Sequence, residues 1–371
     1  MTAIRPLEEA DVPAVAGLFQ RIFRNASQQP PASLTAYLQR LYLDFPGRDP
    51  EINPLVHLRD DGSISGFVGV TPLPMVLEGR PLRGAICGSL MVEDRESDPM
   101  AGARLLKAFL AGPQDLSFSE TASEVSANMW VRLRGIQLPS YSLDWIRVIR
   151  PLSFATGLLS GKVGAARLFS SMAAVVDGRL GKRMTPDALR WSGVPQGWKR
   201  AGGLNVVEIG RDGFAGLVPV LTAHFALRPD WAPGQLEEIL RDAERKDEYG
   251  PATFCRVDAK TGKTIGAFFY HASPGGIGRV LQVLALPGHA GAVIDAMFAH
   301  AADKGLAGLR GRTQPALLEA MLGRRVAFTH LASTVVHARD PQILTALQEG
   351  RAFLNGIAGE HWSRLIGSRF D

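Results

Sequence analysis

Cysteine is scarce in this 371-residue chain, which has only Cys87 and Cys255. They form no CxxC pair and stand near no histidine cluster, which excludes a disulfide scaffold and the usual structural zinc sites. The eight histidines include no HxH or HxxxH pair, so no metal-ligand pattern supports metal catalysis. No apolar run approaches the roughly 20 residues of a membrane-spanning helix. The opening Met1-Thr2-Ala3-Ile4-Arg5 has no apolar signal-peptide core. Basic residues are scattered and not interleaved with aromatics, which argues against nucleic acid as a partner. The expectation is a cytoplasmic protein with no transmembrane segment and no metal.

What is present suits a globular chain: 46% hydrophobic residues, 21% charged residues and a net charge of +5. The length accommodates two domains of ordinary size, and the positive balance suits an anionic ligand such as a nucleotide cofactor.

Periodicity divides the chain into three parts: residues 1–150, 151–203 and 204–371. In the first part, Ile4-Arg5-Pro6 reads as a strand. A helix over 8–24 follows, with Val12, Val15, Leu18, Phe19, Ile22 and Phe23 on one face. A second helix is expected over 33–45, capped by Ser33. Strands 55–59 and 64–77 flank Asp60-Asp61-Gly62, a strong hairpin signal. A strand over 85–93 then runs through a polar loop into a helix over 99–111, with Asp98-Pro99 as cap and first helical position. A strand over 115–119, a helix over 124–134 and a final strand pair ending near Arg150 complete this part.

Residues 204–371 repeat the pattern. Strands are expected at 206–209, 252–257, 265–271, 280–286, 308–311 and 329–337. Helices are expected at 216–225, 233–243, 290–302 and 315–323. The glycine-rich 273–278 stretch falls between two strands and reads as a hairpin turn. The repetition points to duplication of one unit. Residues 152–183 carry an apolar stripe with interspersed basic residues. This connector either bridges the two domains or lies on an acidic lipid face.

The order of elements in 1–150, and the strand–loop–helix of residues 87–110, resemble the GNAT N-acetyltransferase superfamily. The tail, with Phe353-Leu354-Asn355-Gly356 and Gly359-Glu360-His361-Trp362, resembles the close of bacterial tandem GNAT proteins. The resemblance implies an α+β chain of two GNAT-like domains, each a twisted mixed sheet flanked by helices, joined by the helical connector. It also implies acetyl-CoA or another acyl-CoA as cofactor and a small-molecule or amine-bearing acceptor, with acetyl transfer to an amine as the reaction.

In the family, backbone groups of the strand before the loop pair with the cofactor's pantetheine arm, and the helix N-terminus receives the pyrophosphate. Carried over to this sequence, Leu90, Met91 and Val92 would pair with the arm. Arg95, Ala101, Gly102, Ala103 and Arg104 would surround the pyrophosphate. Of the family's loop pattern, Ser97 and Met100 depart and Gly102 is kept. The tyrosine that many members use as acid is replaced by Val131.

Glu120 and Glu93, at strand ends, are the carboxylates available as a catalytic base. Glu120 has a second reading as a negative charge at a helix N-terminus. Tyr141 and Trp145 could line an acceptor pocket or simply pack. The competing function is a catalytically degenerate GNAT-like module that binds CoA, an acyl carrier or a protein partner. The oligomeric state, self-association included, is left open.

Overall fold

The computed structural model describes residues 3–93, 96, 98–160 and 203–371. The connector beyond Ser160, together with Arg95 and Ser97, lies outside the described residues. The first part begins with β1 (Ala3–Pro6), α1 (Val12–Arg24) and α2 (Ala32–Leu43). Strands β2 (Leu55–Leu58), β3 (Ile64–Leu77) and β4 (Arg80–Val92) follow, then α3 (Ala101–Leu110) and β5 (Leu116–Ala122). Next come α4 (Glu124–Arg132), β6 (Ile136–Gln137), α5 (Pro139–Ser142), β7 (Leu143–Val148) and α6 (Pro151–Ser160).

The second part opens with β8 (Asn205–Ile209), α7 (Arg211–Thr222), β9 (Leu227–Pro229) and α8 (Gln235–Glu244). It continues with β10 (Ala252–Asp258), β11 (Thr264–His271), β12 (Ile277–Ala285), α9 (Ala290–Asp303) and β13 (Gly308–Arg312). The chain closes with α10 (Pro315–Leu322), β14 (Ala327–His330), β15 (Ser333–Ala338) and α11 (Pro341–Gln348). A tail with a short 3-10 turn at Gly356–Ala358 follows.

These strands form two mixed sheets flanked by helices. The first runs β1-β2-β3-β4-β5-β15-β6, with β9 added to the far end of β3. The second runs β14-β7-β13-β12-β11-β10-β8. Each has one parallel pair at its centre, β4 with β5 and β12 with β13. Beside each parallel pair lies a strand from the other part of the chain. β15 pairs with β5 and β6, and β7 pairs with β13 and β14. The expected final strand pair near Arg150 is therefore two strands in different sheets, and so is the single strand expected over 329–337. Periodicity marks a residue as extended but carries no information about its partner strand.

Two expected helix caps also differ. Pro31 occupies the N-cap of α2, and the Ser33 hydroxyl instead donates to the Asp371 carbonyl. Met100 is the N-cap of α3, and no side chain caps that helix. Asp98 pairs with Arg104.

The amphipathic face of α1 buries Val12, Val15, Leu18 and Phe19, while Phe23 near its end stays half exposed. Helices α1 and α2 share one apolar core with α7, α8 and the tail residues Ile357, Ala358 and Trp362. Helices α3 and α4 pack on the other face of the first sheet, and α9 and α10 pack against the second sheet. The tail thus runs through the space between the two sheets. Among the described residues, no helix is long and apolar enough to cross a membrane, and no group of three or more His, Cys, Asp or Glu is placed to hold a metal ion.

Candidate functional site

The first cleft opens where β4 and β5 part. Their register holds only from Gly84, Ala85 and Ile86 to Leu116, Ser117 and Phe118. Just beyond, β4 breaks register against β3, and Ser89 adopts a φ of 53°. Such a bulge re-aims the local backbone. Residues 88–90 are half-buried in a strand whose neighbouring residues 84–87 and 91–92 are buried. Tyr42, Thr71, Ile86, Ser89 and Glu360 line a cavity of about 50 Å³ here.

Glu360 comes from the tail. Its Oε1 accepts from the Ser119 hydroxyl at 2.6 Å and the Glu120 N–H at 2.7 Å, and its Oε2 accepts from Thr121 Oγ1 at 2.8 Å. Burial, reinforced by the neighbouring Glu120 charge, pushes its carboxyl above the ordinary glutamate value. Glu360 is thus a buried carboxyl at the edge of the cleft whose ionised form burial disfavours.

Glu120 has the opposite character. Its carboxylate is fully buried and accepts from the N–H groups of Glu360 at 2.6 Å and His361 at 2.9 Å, and from Asn355 Nδ2 at 3.0 Å. Burial alone would raise its pKa. The nearby charges of His361 and Arg312 and the hydrogen bonds from His361 outweigh that and hold it down to about 2. His361 Nδ1 lies 2.7 Å from Glu120 Oε1, although the ring N–H is not well aimed for a hydrogen bond. The other sequence-predicted carboxylate, Glu93, is engaged by Arg21 at 2.6 Å and Arg59 at 3.3 Å. Against the effect of partial burial, these arginines lower its pKa.

The residues assigned to the cofactor lie along β4 and the first turn of α3. Met91 is fully buried, whereas Leu90 and Val92 sit at the margin of the core formed with α3 and α4. Ala101 is buried, and Gly102 faces Val92 and Met129 with room for one more carbon. Ala103 follows in the same turn. Arg104 is shared between Asp98 and His57 Nε2, the latter at 2.9 Å. Val131 is about half exposed.

The second cleft lies on the other side of the tail. Trp145, Tyr249, His271, Arg279, Arg310 and His361 are among the residues around its roughly 80 Å³. It opens next to the parallel pairing of β12 with β13, which extends from Ile277 and Gly308 to Val280 and Gly311. Trp145 is therefore in a cleft, but in that of the second sheet. Tyr141 is buried away from both clefts, with its hydroxyl donating to the Ala352 carbonyl at 3.1 Å. Arg312 ties the two sheets together, donating to the carbonyls of Glu120 at 2.8 Å, Ala332 at 2.9 Å and Tyr141 at 3.0 Å.

Sequence reasoning singled out Glu120 as a candidate base, which the structure buries, and passed over Glu360 and His361, which face opposite clefts from adjacent positions. The available signal was an acid–base pair enclosed by Gly359 and Trp362, directly after the apolar Gly356-Ile357-Ala358.

No known family profile and no curated protein sequence matches the chain. Solved structures do. A conserved protein of unknown function from Enterococcus faecalis, titled a probable N-acyltransferase, superposes with a TM-score of 0.59 at 10% identity, over 91% of this chain and 73% of that one. A GCN5-related N-acetyltransferase from Anabaena variabilis gives 0.58 at 10% identity, over 93% and 75% of the two chains. Another from Kribbella flavida gives 0.51 at 13% identity, over 92% and 72%. At these identities the likeness concerns the fold alone, and the fold is GNAT-like.

Proposed function

We propose that the chain is an acyl-CoA-dependent N-acyltransferase, its cofactor lying along β4 and the start of α3 and its amine acceptor entering the Tyr42–Glu360 cleft. The observation that carries this reading is the parting of β4 from β5 beyond Ile86 and Phe118, beside the half-buried backbone of residues 88–90. The local chemistry fits such a cofactor. Backbone groups beyond the parallel pairing are free of β5, and in the uncapped first turn of the ten-residue α3, where Ala101 N–H already donates to the Asp98 carbonyl, Gly102 and Ala103 offer N–H groups to an anion. Leu90, Met91 and Val92 would hold the arm, and Ala101, Gly102, Ala103 and Arg104 the pyrophosphate. Arg95 is assigned to the same end of the site.

Bound acyl-CoA would supply the activated thioester. The chain's own contribution is to exclude water from a cleft walled by Tyr42 and Trp362 and to take the acceptor amine's proton at Glu360 Oε2, the carboxylate oxygen with fewer partners. Glu120 fixes the tail that carries Glu360, which makes it a positioning residue. We further propose two GNAT-like units, residues 1–150 and 204–371, that exchange the strands β7 and β15 across the connector at 151–203.

A second reading has a specific observation behind it. Glu360 already occupies the Glu120 N–H in the opening, and Val131 stands where many family members have an acid. A GNAT-like module that binds CoA, an acyl carrier or a partner without turnover would tolerate both.

Calorimetric titration with acetyl-CoA tests the proposal. Micromolar binding that is lost in Gly102→Glu, with circular dichroism unchanged, places the cofactor at α3, and thiol release with an amine panel then establishes transfer. Binding without thiol release favours the second reading. Absence of acetyl-CoA and longer acyl-CoA binding removes the enzyme reading.

A further inference from the structure

Three basic side chains stand in a row across the second sheet. His271 of β11 is in register with Arg279 of β12, and Arg279 with Arg310 of β13. Residues directly opposite on adjacent strands share a face, and like charges in that relation are destabilising. Neither arginine has a carboxylate within ion-pair distance among the described residues; Asp144, which also lines this cleft, is paired with Arg312 at 3.3 Å. Arg279 lies over the Tyr249 ring at 4.6 Å, and that contact offers no compensating negative charge. His271 is fully buried and lines the same cleft, with neither ring nitrogen in a hydrogen bond of ordinary geometry. Burial, with the nearby Lys246 charge, pulls its pKa to about 4 against the backbone of Glu244 and Ala243, which leaves a neutral imidazole at pH 7 with one donor and one acceptor. Arg310 is shifted down by burial and then by the facing Arg279, which together outweigh the opposing pull of Tyr249 and Asp144.

We propose that the Arg279–Arg310 cleft is a second ligand site, which takes the phosphate or carboxylate group of a small molecule and seats its flat apolar part beside Trp145 and Tyr249. The two guanidinium groups supply charge-assisted hydrogen bonds from adjacent strands, and His271 satisfies its ring nitrogens at the buried end. Because His361 reaches this cleft from the residue next to Glu360, occupancy here acts on the same tail that lines the first cleft.

The test uses the full chain, titrated calorimetrically with inorganic pyrophosphate and separately with benzoate, with benzylamine as the cationic control. Saturable binding of at least one anion and none of benzylamine is expected. Arg279→Gln and Arg310→Gln should each weaken it by at least about tenfold. Pyrophosphate binding that Arg310→Gln weakens identifies a phosphate ligand of this cleft and not of the α3 turn, and benzoate binding that it weakens identifies a carboxylate. The Tm of Arg310→Gln should equal or exceed that of the parent, since a repulsion is removed. Because part of Arg310 reaches solvent, this variant carries the test if Arg279→Gln fails to fold. No saturable binding of either anion, or affinity unchanged in Arg310→Gln, overturns the proposal. Neither result bears on acetyl-CoA binding at α3.

Discussion

Glu120 and Glu360 each accept a hydrogen bond from the other's backbone. The Glu120 N–H donates to Glu360 Oε1 at 2.7 Å, and the Glu360 N–H donates to Glu120 Oε1 at 2.6 Å. This reciprocal clasp joins the end of β5 to the tail, and the two carboxyls differ sharply in acidity. Glu120 is held down to about 2 and contributes roughly 3 kcal/mol, fully present above the ordinary glutamate pKa and lost as pH falls toward 2. Glu360 is raised, so its ionised form costs stability at neutral pH, and that cost is relieved as pH falls through its folded value. Stability should therefore rise on mild acidification and then fall below about pH 4. In urea titrations, Glu120→Gln should cost about 3 kcal/mol at pH 7 and flatten the acid limb. An unchanged acid limb would mean the clasp is not what holds the tail.

Gly359 permits the clasp by its lack of a side chain. A Cβ there would lie 2.2 Å from Glu120 Oε1, in a site with no slack because Glu120 is fixed by its other donors. Gly359→Ala is expected to cost about 1–3 kcal/mol in urea midpoint analysis. Gly216 is the control: it is exposed within α7, and nothing lies within 4 Å of its added Cβ. Gly216→Ala should gain about 0.5–1 kcal/mol through helix propensity and reduced unfolded-state entropy. A loss in both variants would place the cost in the backbone instead.

The local elements were legible because their causes are local. Asp60-Asp61-Gly62 between apolar runs gives the β2–β3 turn, and the expected strand 64–77 matches Ile64–Leu77. The spacing of Val12, Val15, Leu18 and Phe19 likewise locates the buried face of α1. What the sequence hid depends on contacts between distant residues. Nothing in Ser333–Ala338 announces that it pairs with Leu116–Ala122, because alternation specifies a face and not a neighbour. Glu120 stood out as a carboxylate at a strand end, yet its chemistry is set by Asn355, Glu360 and His361, which only the folded tail brings to it. Arg279 and Arg310 looked like scattered basic residues until the parallel register set them side by side.

Lys246 offers an alkaline test of the tail's anchorage. It is almost fully buried and donates to the carbonyls of Ser363 and Ile366, the latter at 2.6 Å. Burial lowers its pKa well below 10.5. The unfolded chain therefore binds the proton more tightly than the folded one, and stability rises with pH between the folded and unfolded values. Thermal melts should show Tm increasing with pH on the alkaline side, below the unfolded lysine value of about 10.4. Lys246→Met should remove that increase. A Lys246→Met profile parallel to the parent's would assign the slope to another group.

Glu360 and Glu93 separate the two carboxylates available for catalysis. Glu93 is held ionised by Arg21 and Arg59, which makes it a weak base, whereas the raised Glu360 carboxyl titrates closer to neutrality. With acetyl-CoA and a reactive amine, kcat/KM should fall as pH drops through a value above the usual glutamate pKa of about 4.3. Glu360→Gln should remove that limb and lower kcat by roughly 10²–10⁴-fold, while acetyl-CoA affinity stays within about threefold. Glu93→Gln should keep the limb. If Glu360→Gln retains full kcat and the same profile, the base lies elsewhere and Glu360 serves only the clasp. If acetyl-CoA affinity collapses together with kcat, the tail shapes the cofactor side of the opening and its role is positional.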